Sequence, residues 1–234
     1  MRRALAASLV VGWIVPLGWA TSLTPAPSQP RESSGGSVRY VALGDSYTIG
    51  TAVAADDRWP DRLVKRVHSY VPLELVANLA VNGYTSADVI RYELPELASL
   101  DPQFMTLLIG VNDVVQGVPS AGYRANAERI LDVLLARVPN DRIVVVSTPD
   151  YTRTLAGADF GDPEQQRTAI AEVNSIVAEE TADRGISFVD IGSVADRVGE
   201  DPSLVAGDGL HPSGAQYAQW VDLIAPVVES LLSP

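Results

Sequence analysis

Residues 38–46 read VRYVALGDS. A mostly apolar, β-prone run stops at Gly44, and an Asp-Ser pair follows at once. A short apolar run closed by glycine reads as a strand buried on both faces. Four further runs of the same kind follow: LELVANLA (73–80), FMTLLIG (104–110), RIVVVST (142–148) and ISFVDI (186–191). Between them the period changes from continuous to helical. Leu63, Val64 and Val67 lie on one face of a helix over 59–70. Thr85-Ser86-Ala87-Asp88 has the form of a capping box ahead of Val89, Ile90, Leu94 and Leu97, with Pro95 bending or ending that helix. Ile130, Leu131, Leu134, Leu135 and Val138 mark a long amphipathic helix over 121–138. Pro163 opens another helix to about Ala182, and a last one spans about 213–232. Strands alternating with helices of these lengths imply βαβ units and a parallel sheet covered on both faces.

The chain has 234 residues, 47% of them hydrophobic, which fits a globular domain with a substantial core and excludes a mostly disordered one. Asp and Glu total 29 against 17 Lys and Arg, a formal charge of −12. Phosphate binding needs a basic face, so nucleic acid is not an expected partner. The absence of Cys removes disulfides, thiolate nucleophiles and thiolate metal sites. With only two His, a His-built metal centre is not expected, and no cofactor is. Lys65 is the one lysine, and no phosphate-cradling glycine loop surrounds it.

The N-terminal 20 residues read as an export signal. Arg2 and Arg3 precede an uncharged run to Ala20, and Gly18-Trp19-Ala20 offers small residues where a signal peptidase cuts. An uncleaved membrane tether is the alternative, disfavoured by Pro16 and the Ala- and Gly-rich run. Either way the remainder is expected outside the cytoplasm. Residues 21–36, TSLTPAPSQPRESSGG, form an expected solvated linker, leaving 37–234 as the folded domain.

In sheets of this class ligands sit beyond the carboxyl ends of the strands. Gly44-Asp45-Ser46 follows the first strand, Asn82-Gly83 the second and Gly110-Val111-Asn112-Asp113 the third. Asp208-Gly209-Leu210-His211 follows the fifth strand and a loop. Each alone has a plainer reading: a helix cap for Ser46, turns for 82–83 and 110–113, a surface loop for 208–212. Together at one edge they supply a nucleophile, a base, a base-orienter and oxyanion donors, which is what acyl transfer requires. The other histidine, His68, falls within a helix away from every strand end. His211 is therefore the candidate base.

The four blocks resemble the SGNH or GDSL hydrolase superfamily. Gly44-Asp45-Ser46 with Gly50 is similar to its first block, Asn78 to Gly83 to its second, Gly110 to Asp113 to its third and Asp208 to His211 to its last. The resemblance implies a flavodoxin-like three-layer α/β/α sandwich with a five-stranded parallel sheet. It implies hydrolysis of carboxylic esters, with small-molecule, lipid or carbohydrate esters as substrates. Ser46 is then the expected nucleophile, His211 the base and Asp208 its orienter; the Ser46 and Gly83 N–H groups and the Asn112 amide are the expected oxyanion donors. Asp190 is a competing orienter, and Asp45 and Asp113 are expected to bond loop backbone. Residues 52–58 and 150–162 are expected to shape the pocket. The G-x-S-x-G of another hydrolase fold and the G-x-G-x-x-G of dinucleotide binders are both missing. The rival from a different class is an exported glycan- or surface-binding module keeping this fold without turnover.

Overall fold

The computed structural model describes residues 36–233. The expected signal, and all of the expected linker but Gly36, lie outside the described residues. The five expected strands form one sheet: β1 (Val38–Gly44), β2 (Leu73–Asn78), β3 (Phe104–Leu108), β4 (Ile143–Val146) and β5 (Ser187–Val189). Their order is β2-β1-β3-β4-β5 and every pairing is parallel. β3 and β4 are buried along their whole length, as continuous apolar runs between two helical layers must be.

Two short helices sit at strand ends, α1 (Ser46–Ile49) after β1 and α3 (Val111–Val115) after β3. The layers are built by α2 (Trp59–Val67), α4 (Ser120–Leu135), α5 (Pro163–Asp183) and α6 (Gly214–Leu232). α2 packs on α6, and α4 packs on α5. Connections out of β1 and β3 thus diverge, and the crevice between those two strand ends is the switch point of the sheet.

The strands after β1 stop earlier than their apolar runs. Residues 79–80, 109–110 and 147–148 fall outside the strands; the Leu79 and Ser147 N–H groups still bond the Ala42 and Val189 carbonyls, and from there the chain turns into loops over the carboxyl edge. Pro95 does not end its helix. The Thr85–Asp88 capping box forms as expected, and the Leu94 N–H then reaches back to the Val89 carbonyl in a widened π turn over Val89–Glu93. A tight turn over Leu94–Glu96 carries the path on to Leu100. The wide turn followed by a tight one accommodates a proline that has no N–H to give. His68 lies just past α2 and is exposed.

Candidate active site

The turn from β1 into α1 is held from several sides. Gly44 has φ +146°, and a Cβ there would lie 2.2 Å from the Leu108 carbonyl oxygen of the neighbouring strand. Only glycine lets β1 and β3 stay this close at the turn. Asp45 is the helix cap: its Oδ1 accepts the Tyr47 N–H at 3.0 Å. Ser46, which sequence alone offered as a cap, is instead the first residue of α1. The Tyr217 hydroxyl donates to the Tyr47 carbonyl and the Asn78 amide to the Thr48 carbonyl, each at 2.9 Å. So short a helix has little stability of its own, and these side chains fix it to the body of the domain.

His211 and Asp208 belong to one compact loop. Asp208 Oδ1 accepts the N–H groups of Leu210 and His211, each at 3.0 Å, and Oδ2 lies 2.6 Å from His211 Nδ1. Burial opposes ionisation of Asp208, but the two N–H groups and the imidazole outweigh it and hold the carboxyl below its ordinary range. The carboxylate therefore accepts a hydrogen bond from Nδ1–H, which leaves Nε2 with a lone pair. The His211 ring packs against Tyr47, with ring centroids 5.3 Å apart. Asp190 is committed elsewhere, accepting from the Ser147 hydroxyl and the Gly192 N–H.

Ser46, Gly83, Asn112 and His211 line a single cleft of about 170 Å³. Gly83 has φ +82°, and nothing lies within 4 Å of the Cβ it lacks, so its backbone is open to an incoming group. Asn112 donates through Nδ2 to the Tyr84 carbonyl at 2.9 Å, while Asp45 Oδ2 stands at 3.5 Å. Among the described residues no hydrogen bond joins the Ser46 hydroxyl to His211; the two line the cleft together. Val115, Tyr151, Phe160 and Leu210 supply its apolar wall. Tyr151 and Phe160 come from the 150–162 loop, as expected. Residues 52–58 do not line the cleft: Arg58 packs on Gly50, and Val53 packs on the core.

Three carboxyls are buried beneath these strand ends. Asp45 is 0% exposed, Glu93 1% and Asp113 0%. Burial pushes Asp45 up to about 7, with Asp113 adding repulsion, and Glu93 up to about 9. Asp113 is raised by burial too, against hydrogen bonds from the Ser86 hydroxyl and N–H. Asp45 and Asp113 were expected as loop-bonding acids and are so; nothing in the sequence marked Glu93.

The GDSL-like Lipase/Acylhydrolase family model matches residues 42–219, a span that contains every candidate residue above. Among curated proteins none matches in sequence. Solved structures of similar fold include a lipase/acylhydrolase from Enterococcus faecalis, at 20% identity and a TM-score of 0.67, covering 84% of this chain and 98% of that one. TesA is similar at 18% identity and 0.65, covering 83% and 99%. The acetylxylan esterase Axe2 from Geobacillus stearothermophilus is similar at 20% identity and 0.62, covering 84% and 95%.

Proposed function

The chain belongs to the GDSL-like lipase/acylhydrolase family and is a serine ester hydrolase; from that premise we propose that it is exported and cleaves short-chain carboxylic esters through an acyl-enzyme on Ser46. The observation that carries the reading is the shared cleft. Ser46, Gly83, Asn112 and His211 line it, and Asp208 stands behind His211 at 2.6 Å.

His211 Nε2 takes the Ser46 proton as the hydroxyl oxygen attacks the ester carbonyl. Negative charge develops on the former carbonyl oxygen, facing the N–H groups of Ser46 and Gly83 and the Asn112 amide. Asp208 keeps the imidazole in the right tautomer and stabilises its protonated form. Collapse of the intermediate breaks the bond to the alcohol, which leaves with the proton from His211. Water then repeats the sequence on the acyl-enzyme, releasing the acid and restoring the Ser46 hydroxyl.

Size supports a short acyl group. A cavity of about 150 Å³ holds benzene, roughly six carbons, and this cleft is about 170 Å³. Val115, Tyr151, Phe160 and Leu210 would enclose an acyl group of that size, and longer chains would project into water. The −12 charge disfavours strongly anionic substrates. Export rests on the sequence of residues 1–20 alone. The test is a series of p-nitrophenyl esters of graded length beside an acetylated xylan. kcat/KM is expected to peak at or below about six acyl carbons and to fall beyond; a rising rate toward long chains would overturn the short-chain assignment. Labelling of Ser46 by an organophosphonate at one per chain tests the nucleophile, and no labelling would favour a binding module.

A further inference from the structure

We propose that Glu93 is a positioning residue for the nucleophile, acting as the acceptor that fixes the Gly44 N–H at the β1–α1 turn. The proposal rests on Ser46 being the nucleophile.

The paired register on the β2 side of β1 ends at Ala42–Asn78; the chain after β2 still donates from Val81 N–H to the Gly44 carbonyl at 3.4 Å, but offers no carbonyl to the Gly44 N–H. Gly44 lies beyond that pair, and its N–H donates to Glu93 Oε2 at 3.0 Å. A side chain thus takes the place of a strand carbonyl two residues before Ser46. Glu93 reaches this spot from the last residue of the π turn, a widened turn inserted into an otherwise tighter helical path. Insertions of this kind recur where a helix must aim a side chain at a functional site. The other oxygen, Oε1, is buried and has no hydrogen-bond partner among the described residues. A residue kept only for stability has no reason to bury an unpaired carboxyl oxygen; Glu93 is held there by what Oε2 does.

The groups facing it leave no doubt about the sign of its environment. Asp45 from the strand end, Asp88 from the preceding turn and the Tyr84 phenol are its titratable neighbours. No cation pairs with it among the described residues. Burial in that company keeps the carboxyl protonated at neutral pH, so it works as a neutral acceptor. An amide has the same shape and the same acceptor oxygen. Toward β3 there is no room for the turn to move, since the Leu108 carbonyl closes on Gly44, so the Glu93 contact restrains it on the open side. Loss of the acceptor would free the turn to shift, and with it the Ser46 N–H and hydroxyl.

The experiment compares Glu93→Gln, Glu93→Met and Ser46→Ala in the full chain, on a short p-nitrophenyl ester, with active sites counted by organophosphonate labelling. Glu93→Gln is expected to hold kcat and KM within about threefold of the parent at pH 7. Glu93→Met, with similar bulk and no oxygen, is expected to lose about tenfold or more in kcat and in labelling rate, with KM little changed, as for an effect on transition-state geometry. A folded Glu93→Met at parental kcat would overturn the proposal. So would a Glu93→Gln as slow as Glu93→Met, since then the acid itself and not its acceptor oxygen matters. Should Glu93→Met fail to fold, Glu93→Asp withdraws the acceptor by one methylene and is expected to show the same fall in kcat at constant KM; parental kcat there overturns the proposal equally. Ser46→Ala separates the two readings: activity surviving in it removes the nucleophile assignment, whereas an inactive Ser46→Ala beside a fully active Glu93→Met removes only the role of Glu93.

Discussion

Replacing Asn112 separates an oxyanion donor from a turn residue, because the structure splits what its amide does. Nδ2 donates to the Tyr84 carbonyl at 2.9 Å, and the contact with Asp45 Oδ2, at 3.5 Å, is at the outer limit of a hydrogen bond. On the proposed reading the Tyr84 bond holds the amide over the cleft, and the second hydrogen, engaged only by the long contact with Asp45, turns to the developing oxyanion. Asn112→Ala deletes both. Loss of the first costs stability by about 0.5–1.5 kcal/mol, a few degrees in Tm for a domain of this size. Loss of the second costs about 2.7–4 kcal/mol in the transition state, or 10²–10³ in kcat, with KM changed much less. The inequality between those two figures is the test. Steady-state kinetics on a short ester, thermal unfolding and the Ser46 labelling rate measure all three quantities. Asn112→Asp sharpens it, because a carboxylate would face the Tyr84 carbonyl and the oxyanion with no hydrogen for either. It is expected to be slower than Asn112→Ala. A folded Asn112→Asp that equals or exceeds Asn112→Ala in kcat would refute the placement of Asn112 at the oxyanion.

Ser46→Ala is expected to reduce ester turnover to near background and to leave no covalent adduct by intact-mass spectrometry, with the unfolding transition retained. Asp208→Asn keeps the size but removes the carboxylate that selects the His211 tautomer; kcat is expected to fall by about 10³–10⁴, read in the same ester assay. Phe160→Ala widens the apolar wall, so the chain-length optimum is expected to move to longer acyl groups while acetate hydrolysis falls. Stability should depend on pH with a definite sign at Glu93: its folded value is about 9 against an ordinary ~4.3 in the unfolded chain, so the folded state holds an extra proton between them. Stability from that group is full below about pH 4 and is lost as pH rises through about 9, by at most ~1.4 kcal/mol per pH unit. Relative to the parent, Glu93→Gln should gain in Tm between pH 6 and 9, and parallel Tm–pH curves would count against a buried protonated Glu93.

Much of this could be read from the chain. VRYVALG needed only its apolar run and closing glycine to be a buried strand, and β1 spans it without a residue's error. Thr85 and Asp88 announced a capping box that forms, because capping is a local bond between groups three residues apart. His211 stood out by scarcity, and its three-residue spacing from Asp208 permitted the 2.6 Å contact. What stayed hidden depends on distance across the fold. Pro95 signals a break, yet a widened turn upstream carries the helix past it. Glu93 has the sequence surroundings of an exposed helix acid, and only the run-out of β2 beside Gly44 draws it inside. Residues 52–58 and 150–162 both read as pocket-shaping segments, with nothing in either to rank one above the other. Which one walls the cleft depends on where β4 lies in the sheet order.

The buried acids bear on the chemistry as well as on folding. On the proposed mechanism, attack at Ser46 would create an anion beside the end of β1, and Asp45, Glu93 and Asp113 all lie near that point. Three ionised carboxylates there would oppose the oxyanion for which the Ser46, Gly83 and Asn112 donors are proposed, and low polarisability would make the repulsion strong. None of the three has a cationic partner among the described residues. Burial supplies the remedy that a cation would otherwise have to. It raises Glu93 to about 9 and Asp45 to about 7, so at neutral pH the first is uncharged and the second only partly ionised. The same desolvation that costs the fold stability at alkaline pH thereby removes negative charge from beneath the proposed nucleophile, and Gly44 gains an acceptor that brings little charge with it.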